Sequence, residues 1–581
     1  MARGAHRSDV DGYHLTEDLA NRAIEWINDI HNAEPDRPFF AYFCPGAMHV
    51  PHHVSQEWVA PYRGQFDDGW DVWRKSTHAR QIEMGVVPAD AVLTPRPAWI
   101  EAWSEIPDER RRLYARGMEV YAGFLTHTDH QIGRIVDHLR KLGELDNTIF
   151  VVISDNGASP EGGPHGSFNS NLYYNGEPET FEVSEPYLQA WGDPSTYPAY
   201  TFGWAHAGNT PFQRWKRETH EGGIADPLII HYPNGIEAKG AVREQYAHVI
   251  DLMPTVMDLI GIERPATIDG VTQVDIAGKS LMATLDDGGA AEVRTRQYYE
   301  MLGSRGLYDS GWKAVTWHPF IGQNPDVTVN SMRGFDEDPW ELYHVAEDFS
   351  ESNNVAEDYP EKLQHMIELW WAEAGKYNAL PLHSMRAINA DRPRLSAPRD
   401  RHTYLPGGSV TSSMVVDVRN RSHKIIADLT IPTGGAEGVL VAHGGRFGGY
   451  ALYIQDRRLH YHYNLHTLER TTVSSESAIP EGDVTITMDF DTPGGGHAPA
   501  EVTLEIDGTV VGSGTVPKIT LHTFTLMGDA FCLGHDDSTP VTDDYASPFH
   551  FTGQLHSVTL AARGEAFEIS GQEWEASRRS E

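Results

Sequence analysis

The chain has 581 residues, 40% of them apolar and 22% charged, with a net charge of −37, which fits two to four folded globular domains rather than a disordered or fibrous protein. So acidic a surface repels nucleic acid and anionic membranes, and no apolar run approaches the roughly 18 residues that a membrane span needs. The two cysteines, Cys44 and Cys532, lie far apart and give neither a disulfide framework nor a thiolate zinc site.

The opening stretch to His14 has basic residues but no apolar h-region, which favours a cytoplasmic location. Thr16 reads as an N-cap, with Glu17 and Asp18 in the first turn. Leu19, Ala23, Ile24, Ile27 and Ile30 then recur at helical spacing. After the Pro-Asp-Arg-Pro break, Phe39–Phe43 is wholly apolar and is expected as a strand buried on both faces. Cys44 closes that run and is expected as a buried, inert thiol, as is Cys532.

A long helix is expected from Pro107 to Leu142, with Met118, Tyr121, Leu125, Ile132, Ile135, Leu139 and Leu142 as its apolar stripe and Gly143 as its C-cap. Strands follow at 148–154 and 226–233, and a helix at 248–262 with Pro254 near its start. Strands alternating with helices imply an α/β fold with a mostly parallel sheet and flanking helices. From about Arg294 the pattern changes to antiparallel strands and a closing helix, a small α+β subdomain. Beyond a Pro- and Arg-rich linker come many short strands, a β-sandwich in which Asp507-Gly508 marks a hairpin. The expected divisions are 1–290, 291–386, a linker at 387–402, and a sandwich at 403–570.

Ligands of open parallel sheets bind beyond the carboxyl ends of the strands. One strand ends near His49, His52 and His53, and another in Asp155-Asn156-Gly157. A carboxylate beside an amide oxygen suits Ca²⁺ or Mg²⁺, but Asp-Asn-Gly is also an ordinary Asx turn. Lys216 could present its ammonium to an anion, or could sit in a solvated basic turn. Tyr453, Tyr461 and Tyr463 could stack on sugars, though alternating tyrosines are equally ordinary strand residues.

Six segments in chain order carry a resemblance: FFAYFCPGAMHVPHH, LDNTIFVVISDNGA, GGPHGSFNSNLYYNG, NTPFQRWKRETHEGGIADPLIIHYP, HVIDLMPTVMDLIGI and WELYHVAEDFSESNNVAEDYPEKL. Together they resemble the sulfatases of the alkaline-phosphatase superfamily, and more narrowly the long bacterial arylsulfatases with an appended β-sandwich of concanavalin or laminin-G type. The resemblance implies hydrolysis of sulfuric esters, small or glycan, at a formylglycine beside one Ca²⁺. It implies Asp155 and Asn156 as metal ligands, and His49 and Lys216 as catalytic groups contacting the sulfate. His52 and His53 receive no role.

The family's formylglycine arises from a cysteine in C-x-P-x-R, and neither Cys44 nor Cys532 stands in such a motif. The sequence starts partway into the family's pattern, as though the N-terminal third of the catalytic domain were absent. Expected, therefore, are an incomplete Ca²⁺ site, a chain inactive alone, and a missing N-terminal fragment as a partner. The alternatives are a phosphomonoester or phosphonate hydrolase of the same superfamily and a non-catalytic glycan-binding relic.

Overall fold

Helix formation at the start follows the predicted periodicity, over Leu15–Ala33, but its cap is His14, whose Nδ1 accepts from the Thr16 N–H at 3.2 Å. Thr16 is buried in the first turn instead of capping it. The structure is a computed structural model and describes residues 12–175, 177, 179–319, 333–382, 399–494, 498–526, 529–537 and 539–564. The expected linker lies outside the described residues up to 398, as does the sandwich's predicted end beyond 564.

The second helix, Asp108–Leu142, begins after Pro107 and ends at Gly143 with φ 77°, the left-handed cap that glycine takes without strain. Ile135 and Leu139 pack against Ala20 and Ile27 of the first helix, with Phe39, Phe43 and Phe150 at the margin. Leu125, expected in the apolar stripe, is instead half exposed. The other half of the helix carries a larger aromatic core around Trp70, Trp103, Tyr114, Trp191 and Trp204.

Phe39–Phe43 is not a strand. Phe39 and Phe43 lie against the two helices, while Phe40 and Tyr42 are 81% and 82% exposed. An extended run becomes a strand only when neighbours take its backbone hydrogen bonds, and no described strand pairs with it. Cys44, at its end, is exposed rather than buried.

The predicted strands at 148–154 and 226–233 form as Phe150–Ile153 and Leu228–His231, and they pair with each other, antiparallel, Ile153 opposite Leu228. Apolar runs encode a strand but not the direction of its partner. Ile153, Leu228 and Ile229 are partly exposed, so this pair is not the doubly covered core that a parallel sheet requires. The helix Leu252–Leu259 follows, with Pro254 in its first turn as expected.

Four antiparallel strands, Arg296–Met301, Ser304–Asp309, Trp312–Thr316 and Trp340–Tyr343, pair in chain order. The helix Pro360–Lys376 buries Met366, Trp370 and Ala374 against Leu307, Ala314 and Leu342. This is the α+β unit that the sequence predicts.

Residues 401–562 form two six-stranded sheets packed face to face. Alternation is strict in His423–Ile431, which puts Ile425, Ala427, Leu429 and Ile431 inside. The Asp507-Gly508 hairpin forms, with both residues at positive φ, as a two-residue turn of this twist demands. Tyr453, Tyr461 and Tyr463 are 1%, 0% and 4% exposed, so their rings fill the core and present no face to a sugar.

Three buried asparagines tie the sandwich to the rest of the chain. Asn169 donates to the His466 carbonyl at 2.9 Å and Asn171 to that of Phe447 at 3.1 Å. Asn175 donates to the Thr523 carbonyl at 3.0 Å and accepts from the His522 and Thr523 N–H groups. Buried amides paired at both ends fix a docking geometry, because each lost partner leaves a desolvated group.

Candidate active site

The strand Phe150–Ile153 delivers the chain to Asp155-Asn156-Gly157, and three glycines then allow two loops to interlock. A Cβ on Gly157 would stand 1.9 Å from the Gly222 carbonyl oxygen, and one on Gly222 would stand 2.0 Å from that of Gln213. The Gly157 N–H donates to the Gly223 carbonyl at 3.2 Å. One residue on, Ala158 receives the Lys216 N–H on its carbonyl at 3.2 Å, and its own N–H donates to Asn209 Oδ1 at 2.8 Å. Asn209 in turn donates to the Arg214 carbonyl at 3.0 Å. Lys216 is thereby held over the strand end by backbone struts on both sides.

The same loop is clamped from behind by the four-stranded sheet. Thr219 donates to the Arg305 carbonyl at 3.0 Å, and Gln213 to that of Glu351 at 2.7 Å. Lys313, fully buried, bridges Glu221 and Glu351 at 2.6 and 2.9 Å. Arg214 and Arg217, flanking Lys216, both have positive φ, which non-glycine residues adopt at a cost where surrounding contacts over-determine them.

Lys216 Nζ lies 3.1 Å from His49 Nε2 and 3.2 Å from Glu161 Oε2. His49 Nδ1 sits 2.9 Å from the Val50 carbonyl and donates to it, which leaves Nε2 to accept from the ammonium. Glu161, which no sequence signal marks, is the hub. It also pairs with Arg217, accepts from Ser159 at 2.9 Å and lies 3.4 Å from His49. Burial alone would raise its pKa, but Arg217, Lys216, Ser159 and His49 outweigh that and hold it below the usual carboxylate range. An excess of positive charge therefore gathers at one spot on a strongly acidic chain.

His52 is a core residue. It is 2% exposed, rests among Tyr121, Phe124 and Tyr200, and is pushed down to about 3, chiefly by burial. His53 hydrogen-bonds the Thr196 carbonyl at 2.6 Å and is likewise lowered by burial. Neither reaches the cluster.

Asp155 is exposed and Asn156 half-buried. The antiparallel register, Ile153 opposite Leu228, carries Asp226 to the place across from Asp155. Burial, then the charges of Asp155 and Glu221, push Asp226 up to about 6. Two carboxylates and an amide oxygen are the donors that a hard dication takes, though short of the six to eight oxygens of a complete Ca²⁺ shell. They fit Ca²⁺ in kind and fall short in number. A formylglycine does not fit: Cys44 is followed by Pro45-Gly46, and Cys532 lies in the sandwich.

The family model for sulfatases matches residues 3–262, and the model for the C-terminal part of N-sulphoglucosamine sulphohydrolase matches residues 212–371. This chain belongs to the sulfatase family of the alkaline-phosphatase superfamily. An uncharacterized sulfatase of Schizosaccharomyces pombe is 29% identical over 60% of this chain and 60% of its own. An arylsulfatase of Klebsiella aerogenes is 27% identical over 48% of this chain and 58% of its own. An N-acetylglucosamine-6-O-sulfatase of Bacteroides thetaiotaomicron is 26% identical over 44% of this chain and 35% of its own. The chain thus spans three-fifths or less of the length of these sulfatases. The crystal structure of Ps i-CgsB aligns with 63% of this chain and 55% of its own at 18% identity, with a TM-score of 0.36. The family's α/β class agrees with the helices and paired strands described, and an all-β region follows the sulfatase match.

Proposed function

We propose that this chain carries the sulfate-binding half of a sulfuric ester hydrolase acting on an aryl or sugar sulfate. The observation that supports it most is the 3.1 Å contact of Lys216 Nζ with His49 Nε2, above the strand end that bears Asp155 and Asn156. The sulfatase match and the relatives' names supply the ester class. A transferring sulfuryl group carries negative charge on its oxygens, which an ammonium and a guanidinium stabilise. Lys216 and Arg217 provide both, and Glu161 orients them. His49 Nε2 accepts from the ammonium and so helps to aim it at the anion; only once Nε2 is itself protonated would the imidazolium have a proton to hand to the leaving oxygen. Asp155, Asn156 and Asp226 would hold a Ca²⁺, which supplies further positive charge to the ester when bound.

Lys216→Ala should weaken the binding of an aryl sulfate by at least tenfold, since a charge-assisted contact is worth about 1.5–3 kcal/mol. Calorimetry on the full chain checks this, and unchanged affinity would remove Lys216 from the site. Tighter binding of inorganic phosphate than of sulfate would favour the phosphomonoester reading. No aryl-sulfate turnover is expected even after co-expression with a formylglycine-generating enzyme. Turnover above the Lys216→Ala background would show that another nucleophile serves.

Ca²⁺ should bind the chain at millimolar concentration or weaker, because few charged ligands face the site. Asp155→Ala should abolish that binding. Micromolar affinity through Asp155 would mean a fuller ligand shell than these three residues supply.

A further inference from the structure

We propose that the sandwich holds a transition-metal site of the zinc class, built by Cys532, His535 and Asp537. Their ligand atoms lie within 4.8 Å of one another, and among the described residues no other trio of His, Cys, Asp or Glu does so. The site is separate from the sulfate-binding cluster and does not rest on the reading given for it.

The fold sets the three up. Cys532 sits mid-strand in Phe531–Leu533, paired with Ser409 on one side and Ala442 on the other. The chain then turns at Gly534, which has φ 78°, and brings His535 and Asp537 back beside the sulfur. Val541 and the Phe551 N–H bond to the Gly534 carbonyl, at 2.9 Å, brace this turn from the other side.

Each ligand has a partner behind it. His535 Nδ1 lies 3.0 Å from the Leu533 carbonyl, so it carries the proton and Nε2 presents a lone pair. That Nε2 faces Asp537 Oδ1 at 2.9 Å. Two acceptors so close are favourable only with a proton or a cation between them. Asp537 is oriented by the Ser409 hydroxyl, which donates to its other oxygen at 3.0 Å. The Asp537 N–H points at the Cys532 sulfur, as backbone amides do toward metal-bound thiolates.

The donor set decides the metal class. Thiolate, imidazole and carboxylate together select a borderline divalent ion with tetrahedral preference, not Ca²⁺ or Mg²⁺. A bound divalent ion deprotonates a coordinating thiol, so metal binding would release the Cys532 proton. The ring centre of His550 lies 5.6 Å from that of His535. Asp536 and Asp529 lie close enough to Cys532 to act on it electrostatically, and their charge favours a cation.

Co²⁺ tests this, since a tetrahedral cobalt thiolate gives a near-ultraviolet charge-transfer band that oxygen and nitrogen ligands alone do not give. The full chain, stripped of metal, is titrated with Co²⁺ and then with Zn²⁺. The band should appear, saturate at one equivalent and be displaced by Zn²⁺. With only two cysteines in the chain, Cys44→Ser should keep the band and Cys532→Ser should lose it. His535→Ala, at a partly exposed position, should weaken Co²⁺ at least tenfold. Absence of the band in the wild-type chain would overturn the proposal without relying on any variant's folding. A band that survives in Cys532→Ser and vanishes in Cys44→Ser would overturn it equally.

Discussion

Gly157→Ala should cost the catalytic region about 3 kcal/mol and weaken aryl-sulfate binding by more than tenfold. The new Cβ would lie 1.9 Å from the Gly222 carbonyl oxygen, with the Gly222 carbonyl carbon at 3.0 Å behind it. Backbone on both sides cannot rotate away as a side chain could, so the loops must part. Forced overpacking of this kind costs about 1–3 kcal/mol and sometimes more; a loss of about 3 kcal/mol lowers Tm by roughly 6–12 °C in a domain of about 150–250 residues, and by somewhat less in a longer one. Parting the loops also breaks the strut from Lys216 to Ala158 at 3.2 Å, which sets the ammonium's position. Gly133→Ala is the control. Gly133 lies within the helix Asp108–Leu142 with open space around its Cβ position, and alanine there should stabilise by about 0.5–1 kcal/mol. Equal melting temperatures for the two variants would show that the interlock does not hold the site.

The local signals served well where neighbouring residues decide the outcome. Gly143 ends its helix, Asp507-Gly508 turns its hairpin, and the expected closing helix of the α+β unit forms as Pro360–Lys376. Lys216 and His49, quoted from segments 167 residues apart, do meet. Distant partners were not legible. Phe39–Phe43 has the composition of a buried strand, but composition cannot say whether a neighbour is there to pair with it. The direction of pairing was equally hidden, and it concealed a candidate ligand. In a parallel sheet Asp226 would enter at the far end from Asp155; in the observed register it stands across from it. Glu161 sits in a glycine-rich loop with no periodicity to mark it, although Lys216, Arg217 and His49 all converge there. The tyrosines of the sandwich alternate as strand residues do, and only packing shows that they point inward.

Lowering the pH from 7 to 5 should destabilise the sandwich by about 5 kcal/mol. Of the buried histidines in it, three are held neutral, chiefly by burial: His423 at about 4, His443 at about 3 and His462 at about 4. Their pKa in the unfolded chain is about 6.5. Because the folded values are depressed, the unfolded chain takes up protons first as pH falls below about 6.5, and stability drops until the folded values are reached near 4. At pH 5 each histidine contributes a loss of about 2 kcal/mol, or about 6 kcal/mol for the three. Asp536 acts in the opposite sense. Burial raises it to about 6, so its buried charge is relieved over the same window and returns about 1 kcal/mol. Asp417, Asp489 and Asp544 are all depressed, so their contribution is lost only at lower pH. Hydrogen exchange in strands 438–465 of the full chain, at pH 7 and pH 5, measures the drop where it arises. His443→Gln can keep the contact that His443 Nε2 makes with the Ser412 hydroxyl at 3.0 Å while removing one titrating group. Whatever its absolute stability, that variant should lose about a third of the histidine-driven pH dependence. The same slope in wild type and variant would mean that His443 is already protonated in the folded sandwich, and that its burial is relieved by a partner or by water.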